Sequence, residues 1–283
     1  RTSNNSCIQI LLKKFLFMRF FYVPGGVSGN EGGFGDIKQL IRSLSGISLY
    51  YVRLDSSYED DWKFDDLFEK NGWKRTSYTI NSAKTIYIDL IKDLSDPLID
   101  ASKRWKKQLV KSRKKCTNLK IKRNHDVSKK DIFDASHKMQ RYKKIFLRDD
   151  PSNTTRLIEI FGQKINLISC FDNKKNILGF RCALCIGERA WDFYAATTQK
   201  GRKLDIGYFL LYELISECKK KGAKKYILPI SKTNKGDTEF KMRTGGKVYK
   251  TVGEWNYSNF FAFTYITNVI IYIILNSKII SFI

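Results

Sequence analysis

The chain has 283 residues and a formal net charge of +24, from 52 Lys and Arg against 28 Asp and Glu. An apolar share of 42%, 14% aromatics and only four prolines exclude a disordered or low-complexity chain, and the length is enough for two packed units. So large a positive charge predicts partners that are polyanions, whether nucleic acid, phosphorylated precursors or an anionic membrane face, with solvated lysine faces as the competing reading.

In chain order, the apolar run Phe15 to Val23 predicts a strand that ends at the turn Pro24-Gly25-Gly26. Lys13, Lys14 and Arg19 interrupt Ile8 to Tyr22 as a signal segment, and the chain begins at Arg1 and not at Met, so a further N-terminal piece is expected. Gly25 to Gly35 lacks the GxGxxG spacing of a nucleotide loop and predicts a surface loop. Ile37, Leu40, Ile41 and Leu44 fall at helical spacing behind Asp36. Ile47 to Leu54 predicts a buried strand, Phe64 to Lys70 a helix closed by Asn71-Gly72, and Thr85 to Leu90 another strand.

Asp96-Pro97 predicts the start of a long helix to about Lys115, because Asp caps free N–H groups and Pro tolerates the first turn. Between Ala101 and His125 no acid occurs, while basic residues run from Lys103 to Arg123. Self-repulsion in so dense a run makes it the foremost candidate for a polyanion contact, against a solvated face. There follow a strand at Asn118 to Arg123, helices at Ser128 to Phe146 and Thr154 to Phe161, and three antiparallel strands at Ile165 to Phe171, Ile177 to Ile186 and Ala190 to Thr197. A helix from Leu204 to Lys221 carries the apolar stripe Ile206, Leu210, Leu211, Leu214, Ile215 and Cys218 and stops at Gly222. A strand at Lys225 to Ile230, a short helix near Thr238 to Met242 and strands at Lys247 to Tyr249 and Glu254 to Tyr257 complete the order of a single acyltransferase domain. The apolar tail Phe260 to Ile283, broken by Asn268, Asn276 and Lys278, predicts a terminal helix packed back on the first lobe rather than a bilayer span or a surface anchor.

Six scattered cysteines without a disulfide framework place the chain in a reducing compartment, and Cys182-x-x-Cys185, lying in a strand with no second pair, predicts buried thiols rather than a zinc site. With only His125 and His137, neither in an HExxH nor beside a nucleophile, histidine-dependent chemistry is excluded, and no P-loop occurs. No metal or cofactor is expected.

Several of these residues carry a resemblance. Tyr22-Val23-Pro24-Gly25-Gly26, Thr85-Ile86-Tyr87-Ile88-Asp89-Leu90, the basic helix around Trp105, and Glu239-Phe240-Lys241 before Gly245-Gly246 resemble, in matching order from about Phe20 to Tyr257, the FemA/FemB/FemX group of peptidyltransferases that build peptidoglycan cross-bridges. The resemblance implies an α/β protein of two GNAT-like lobes, drawn here as residues 1–115 for a partial first lobe, 116–257 for the second and 258–283 for the C-terminal helix. It implies a cytoplasmic enzyme, peripheral at the inner face of the membrane, that takes an aminoacyl group from aminoacyl-tRNA to an amine of a nucleotide- or lipid-linked cell-wall peptide. It also places Phe240 and Lys241 at the active centre, where an ammonium would steady the oxyanion formed as the amine attacks. Asp192, as proton acceptor, and Tyr194, as a substrate-orienting group, share a face by strand alternation. Gln199 to Gly207 departs from the Q/R-x-x-G-x-G/A loop of coenzyme A-using relatives, which weakens that donor, although Arg202 and Lys203 remain candidate phosphate contacts. Two other readings stay open: an acyl-CoA-dependent N-acyltransferase acting on an envelope amino sugar, and a non-catalytic nucleic-acid or membrane binder that keeps the fold.

Overall fold

The computed structural model describes residues 7–28, 33–46, 48–59, 62–91, 96–143, 150–231 and 235–276. The middle of the Gly-rich stretch expected as a loop, the end of the helix expected to reach Phe146, and the residues beyond Asn276 lie outside them. Contacts group the chain into two units, Arg1–Lys84 with Tyr249–Lys278, and Thr85–Val248.

The first unit runs through β1 (Cys7–Ile8), β2 (Leu11–Phe15), β3 (Met18–Gly25), β4 (Val27–Ser28), α1 (Gly33–Ser45), β5 (Leu49–Glu59), α2 (Trp62–Lys70) and β6 (Lys74–Arg75). The second unit contains β7 (Lys84–Asp89), α3 (Lys103–Cys116), β8 (Lys120–Arg123), α4 (Lys129–Lys143), α5 (Pro151–Phe161), β9 (Ile165–Phe171), β10 (Ile177–Ile186), β11 (Arg189–Thr197), α6 (Gln199–Lys203), α7 (Ile206–Lys220), β12 (Lys225–Pro229) and α8 (Lys235–Met242). The chain then returns to the first unit with β13 (Lys247–Ser258) and α9 (Phe261–Asn276).

In the first unit the strand order is β2-β3-β5-β13, with β3 and β5 parallel and β6 against β13. Alternation sends Phe21, Val23, Val52 and Leu54 into a core with Ile37 and Ile41 of α1 and Phe68 of α2, where Phe68 stacks on Trp255 at 4.8 Å. The opposite parity meets α9: Phe20 lies 5.5 Å from Phe263, and the Tyr51 hydroxyl donates to Asn268 Oδ1 at 3.2 Å.

In the second unit the order is β7-β12-β11-β10-β9-β8, with only β11 and β12 parallel. The predicted α7 stripe is buried on one face together with Trp105 and Leu109 of α3, while α4 packs on the other through Ile132 and Ala135. Of the 52 basic and 28 acidic residues, 38 and 18 fall in Thr85–Val248, so +20 of the +24 belongs to this unit.

Several elements differ from expectation. The strand expected over Phe15 to Val23 is interrupted by a turn at Leu16-Phe17, across which β2 pairs antiparallel with β3; β3 runs on through Pro24 to Gly25, and α1 starts at Gly33 within the stretch expected as a loop. The helix expected at Asp96-Pro97 begins at Lys103: Asp96 caps only a turn, and the Ser102 hydroxyl accepts the Trp105 N–H where the buried stripe Trp105, Leu109, Ser112, Cys116 starts. The helix expected over Leu204 to Lys221 starts at Ile206, because Asp205 takes a left-handed conformation (φ 59°) that separates it from the short α6 before it. The two short strands expected after Lys247 are one strand, with a register shift between Thr251 and Gly253. The unit boundaries also fall at Lys84/Thr85 and Val248/Tyr249 rather than at 115/116 and 257/258, since α3 is buried through Trp105 against α7, and β13 pairs with β5.

Candidate functional site

The parallel pairing of β11 with β12 covers only Arg189 to Trp191 against Lys225 to Ile227. Beyond it β11 runs on to Thr197 without that partner, and the freed Pro229 carbonyl accepts instead from Lys241 Nζ at 2.8 Å. Lys241 comes from α8 and is 8% exposed. Its ammonium also meets Asp237 Oδ2 at 2.8 Å, one helical turn back, and Asp192 Oδ2 at 3.8 Å.

Asp192 is buried and already engaged. Arg181 of β10 binds it bidentately, both contacts at 2.6 Å, and the Tyr226 hydroxyl donates to Oδ1 at 3.2 Å. Burial acts to lower the Arg181 pKa, but the Asp192 carboxylate outweighs it and holds the guanidinium above its ordinary value. Burial, followed by the Asp192 charge, pushes the Tyr226 hydroxyl well up. Three hydrogen bonds therefore fix this carboxylate, and in turn it orients Arg181 and Tyr226.

Beside this network lies a cavity of about 350 Å³. Its charged walls are Lys143, Arg181, Arg202, Asp205 and Asp237, and Phe240 and Tyr208 form an aromatic side. Their ring centroids are 4.9 Å apart, edge to face, and Trp105 supports Phe240 from 6.2 Å. The mouth of α7 opens here. At its start the Tyr208 N–H donates back to the Asp205 carbonyl, Asp205 is braced by Ser112 Oγ and Lys115 Nζ of α3, and Gly207 has open space where a side chain would be. Gly201 serves packing instead, since a Cβ there would sit 2.3 Å from the Leu178 carbonyl.

Among the residues singled out in the sequence, Phe240 and Arg202 line this cavity, while Lys241 and Asp192 stand behind its wall. Tyr194 is turned away. The register steps from Cys182 opposite Tyr194 to Ala183 opposite Asp192, so Phe193 is an extra residue and the alternation expected to put Asp192 and Tyr194 on one face is broken. Tyr194 stacks on Phe180 on the α4 side. Lys203 is exposed, outside the cavity lining. Asp237 and Arg181 were missed by the sequence reading; the i, i+4 spacing of Asp237 and Lys241 was the one local signal for the former, whereas Arg181 is paired only by the sheet.

The CxxC cysteines do not converge. Cys182 is buried and donates toward the Tyr194 carbonyl, whereas Cys185 lies 3.8 Å from Cys218, whose thiol holds Cys185 low at about 7. Elsewhere on this unit α3 buries one stripe and presents Lys103, Arg104, Lys107, Lys111, Arg113 and Lys114 to solvent.

At the level of sequence, no protein-family model and no curated protein matches this chain. Solved structures do. FemX superposes with a TM-score of 0.69 at 14% identity, covering 88% of this chain and 84% of its own. The C-terminal domain of an Agrobacterium fabrum protein described as a lysylphosphatidylglycerol synthetase gives 0.62 at 11% identity, with coverages of 96% and 89%. A tandem GNAT protein from the clavulanic acid biosynthesis pathway gives 0.56 at 11% identity, with coverages of 84% and 75%. The chain therefore has a GNAT-like mixed α/β fold. In particular it has the fold of FemX.

Proposed function

We propose that this chain is an N-acyltransferase that carries an aminoacyl group from aminoacyl-tRNA to an amine of a peptidoglycan precursor peptide. The observation that carries the reading is the cavity at the diverging end of β11, walled by three cations and two carboxylates, with the Lys241 ammonium held against Asp237 at its edge. Acyl transfer to an amine needs the amine deprotonated, the tetrahedral oxyanion stabilised and the leaving oxygen reprotonated. Asp237, on the wall and partly exposed, takes a proton from the attacking nitrogen, the task first expected of Asp192, and returns it to the leaving ester oxygen as the C–O bond breaks. Lys241 supplies positive potential for the oxyanion, and the Arg181–Asp192 pair fixes Lys241 in place.

Phe240 and Tyr208 give the acyl portion an apolar side, and Arg202, Lys143 and the α7 mouth hold donor phosphates. Lys203 and the exposed cations of α3 extend that attraction along the donor's backbone, as the +20 charge of the unit favours. The acceptor, linked to a nucleotide or a lipid, is itself anionic. Tyr194 takes no direct part in this scheme.

The test is turnover by purified protein with a panel of aminoacyl-tRNAs and acyl-CoAs against nucleotide-linked and lipid-linked cell-wall precursors and an envelope amino sugar. Aminoacyl-tRNA-dependent product that disappears in Asp237→Asn supports the reading. Product only with acyl-CoA and an amino sugar overturns it in favour of a coenzyme A-dependent enzyme.

A further inference from the structure

Where α7 ends against the sheet, two thiols meet beside a buried amide. Cys185 of β10 and Cys218, in the last turn of α7, bring their sulfurs to 3.8 Å. Asn166 of β9, 3% exposed, directs its amide at both: Nδ2 donates to Cys185 Sγ at 3.0 Å and to Cys218 Sγ at 3.6 Å. The orientation of that amide is fixed from its other end. Lys221 Nζ donates to Asn166 Oδ1, and an ammonium can only donate, so the amide nitrogen has to face the sulfurs. An asparagine on the same sheet face as the buried Ile168 and Cys170 costs free energy unless its polar atoms are satisfied, and a neutral thiol is a weak acceptor. A thiolate is a strong one. The amide, with Lys221 behind it, is placed to hold one sulfur ionised.

The two sulfurs are not equivalent. Cys185 is half-buried and Cys218 buried, so a reagent from solvent reaches Cys185 first. The hydrogen bond with Cys218 holds Cys185 low, at about 7, and the same contact pushes Cys218 up, so Cys185 ionises while Cys218 keeps its proton. Cys182 lies on the opposite face of the sheet, in the core against α4, and takes no part. A disulfide bond is about 2 Å long, so closing the pair needs the sulfurs to approach by about 2 Å, within reach of side-chain rotation.

We propose that Cys185 and Cys218 form a peroxide-reactive dithiol that closes reversibly to a disulfide, tying the last turn of α7 to β10. The Cys185 thiolate attacks one oxygen of hydrogen peroxide, the O–O bond breaks, and the other oxygen leaves as water with a proton from solvent. The Cys218 sulfur then attacks the sulfenic sulfur, the S–S bond forms, and the S–OH oxygen departs as a second water with the Cys218 proton. Two thiols are oxidised and one peroxide is reduced to water. In a reducing compartment the pair rests open and closes only when oxidant appears. This goes beyond the acyl-transfer reading and does not depend on it.

The test treats the reduced full chain, folded and without donor or acceptor, with a small excess of hydrogen peroxide, and reads the products by mass spectrometry of the intact chain and of its peptides. The expected result is a loss of two hydrogens in mass, a Cys185–Cys218 linked peptide, and return to the reduced mass with dithiothreitol. Cys218→Ala should leave Cys185 as a sulfenic acid that dimedone captures, an adduct scarce in the wild type. Should that buried variant not fold, Cys185→Ser, at the half-buried position, serves in its place and should lose the linkage altogether. No linked peptide in the folded wild type, linkage through Cys7 or another cysteine instead, or Cys185 carried on to sulfinic acid without linkage overturns the proposal.

Discussion

Each unit buries one arginine against one carboxylate, and the two pairs are built for different ends. In the first unit Glu254 of β13 receives the Arg53 Nε together with the backbone N–H groups of Ile80 and Asn81, and Arg53 also donates to the Tyr78 carbonyl. The pair ties residues 78–81 to the sheet. In the second unit Asp192 receives Arg181 and Tyr226, and its remaining side meets Lys241 beside a cavity. A buried ion pair is weak evidence for stability and none for function until its surroundings are read. What distinguishes the second pair is a lysine that a purely structural pair would not need, next to open space.

The largest expected effect breaks the comparison on the structural side. Glu254→Ala leaves Arg53 buried without its anion and two N–H groups without an acceptor, and should cost about 3–5 kcal/mol in urea unfolding. Lys241→Ala tests the other pair. Turnover should fall by about 10²–10³-fold, the scale seen when an oxyanion-stabilising group is removed, while the unfolding midpoint moves much less than in Glu254→Ala. If both variants changed stability alike and neither changed turnover in the folded fraction, the distinction would be lost.

A pair of glycines sharpens the contrast. Gly201→Ala places a Cβ 2.3 Å from the Leu178 backbone and should displace α6, lowering stability by about 1–3 kcal/mol and weakening the donor's apparent affinity. Gly46→Ala meets nothing within 4 Å and is strained only by its φ of 57°, so about 1 kcal/mol and an unchanged KM are expected.

The smallest effect is a divergence of two carboxyls on acidification, followed by carboxyl NMR. Lys200, then the Asn176 N–H, holds Asp172 of the second unit at about 2, below its unfolded value; its stabilisation is present above that unfolded value and is lost as pH falls toward 2. Asp55 of the first unit is raised, chiefly by withdrawal from water, so protonation favours its folded state and its contribution grows as pH falls. Acid should therefore loosen the Asp172 turn before it disturbs the Asp55 neighbourhood. Titration of both carboxyls at one common value would remove this difference.

Most helices and strands of the second unit were legible because their periods are strong. Ile165 to Phe171 and Ile177 to Ile186 are bounded by turn residues, and the α7 stripe is unbroken from Ile206 to Cys218. Legibility failed where a local signal was real but outweighed. Asp96 does cap, yet only a turn, because packing against Gly245 and Arg243 occupies the next residues. Asp192 and Tyr194 alternate in the sequence and are parted by one inserted residue that only the register with β10 reveals.

The sequence by itself determined the periodic elements and the concentration of positive charge, since both depend on residues near each other in the chain. Tertiary structure alone decided that Arg181 meets Asp192, that β11 parts from β12 to leave a cavity, and that α9 turns its apolar half outward. Those outcomes depend on which strand lies beside which and on which helix face the sheet accepts. Spacing along the chain carries no record of either.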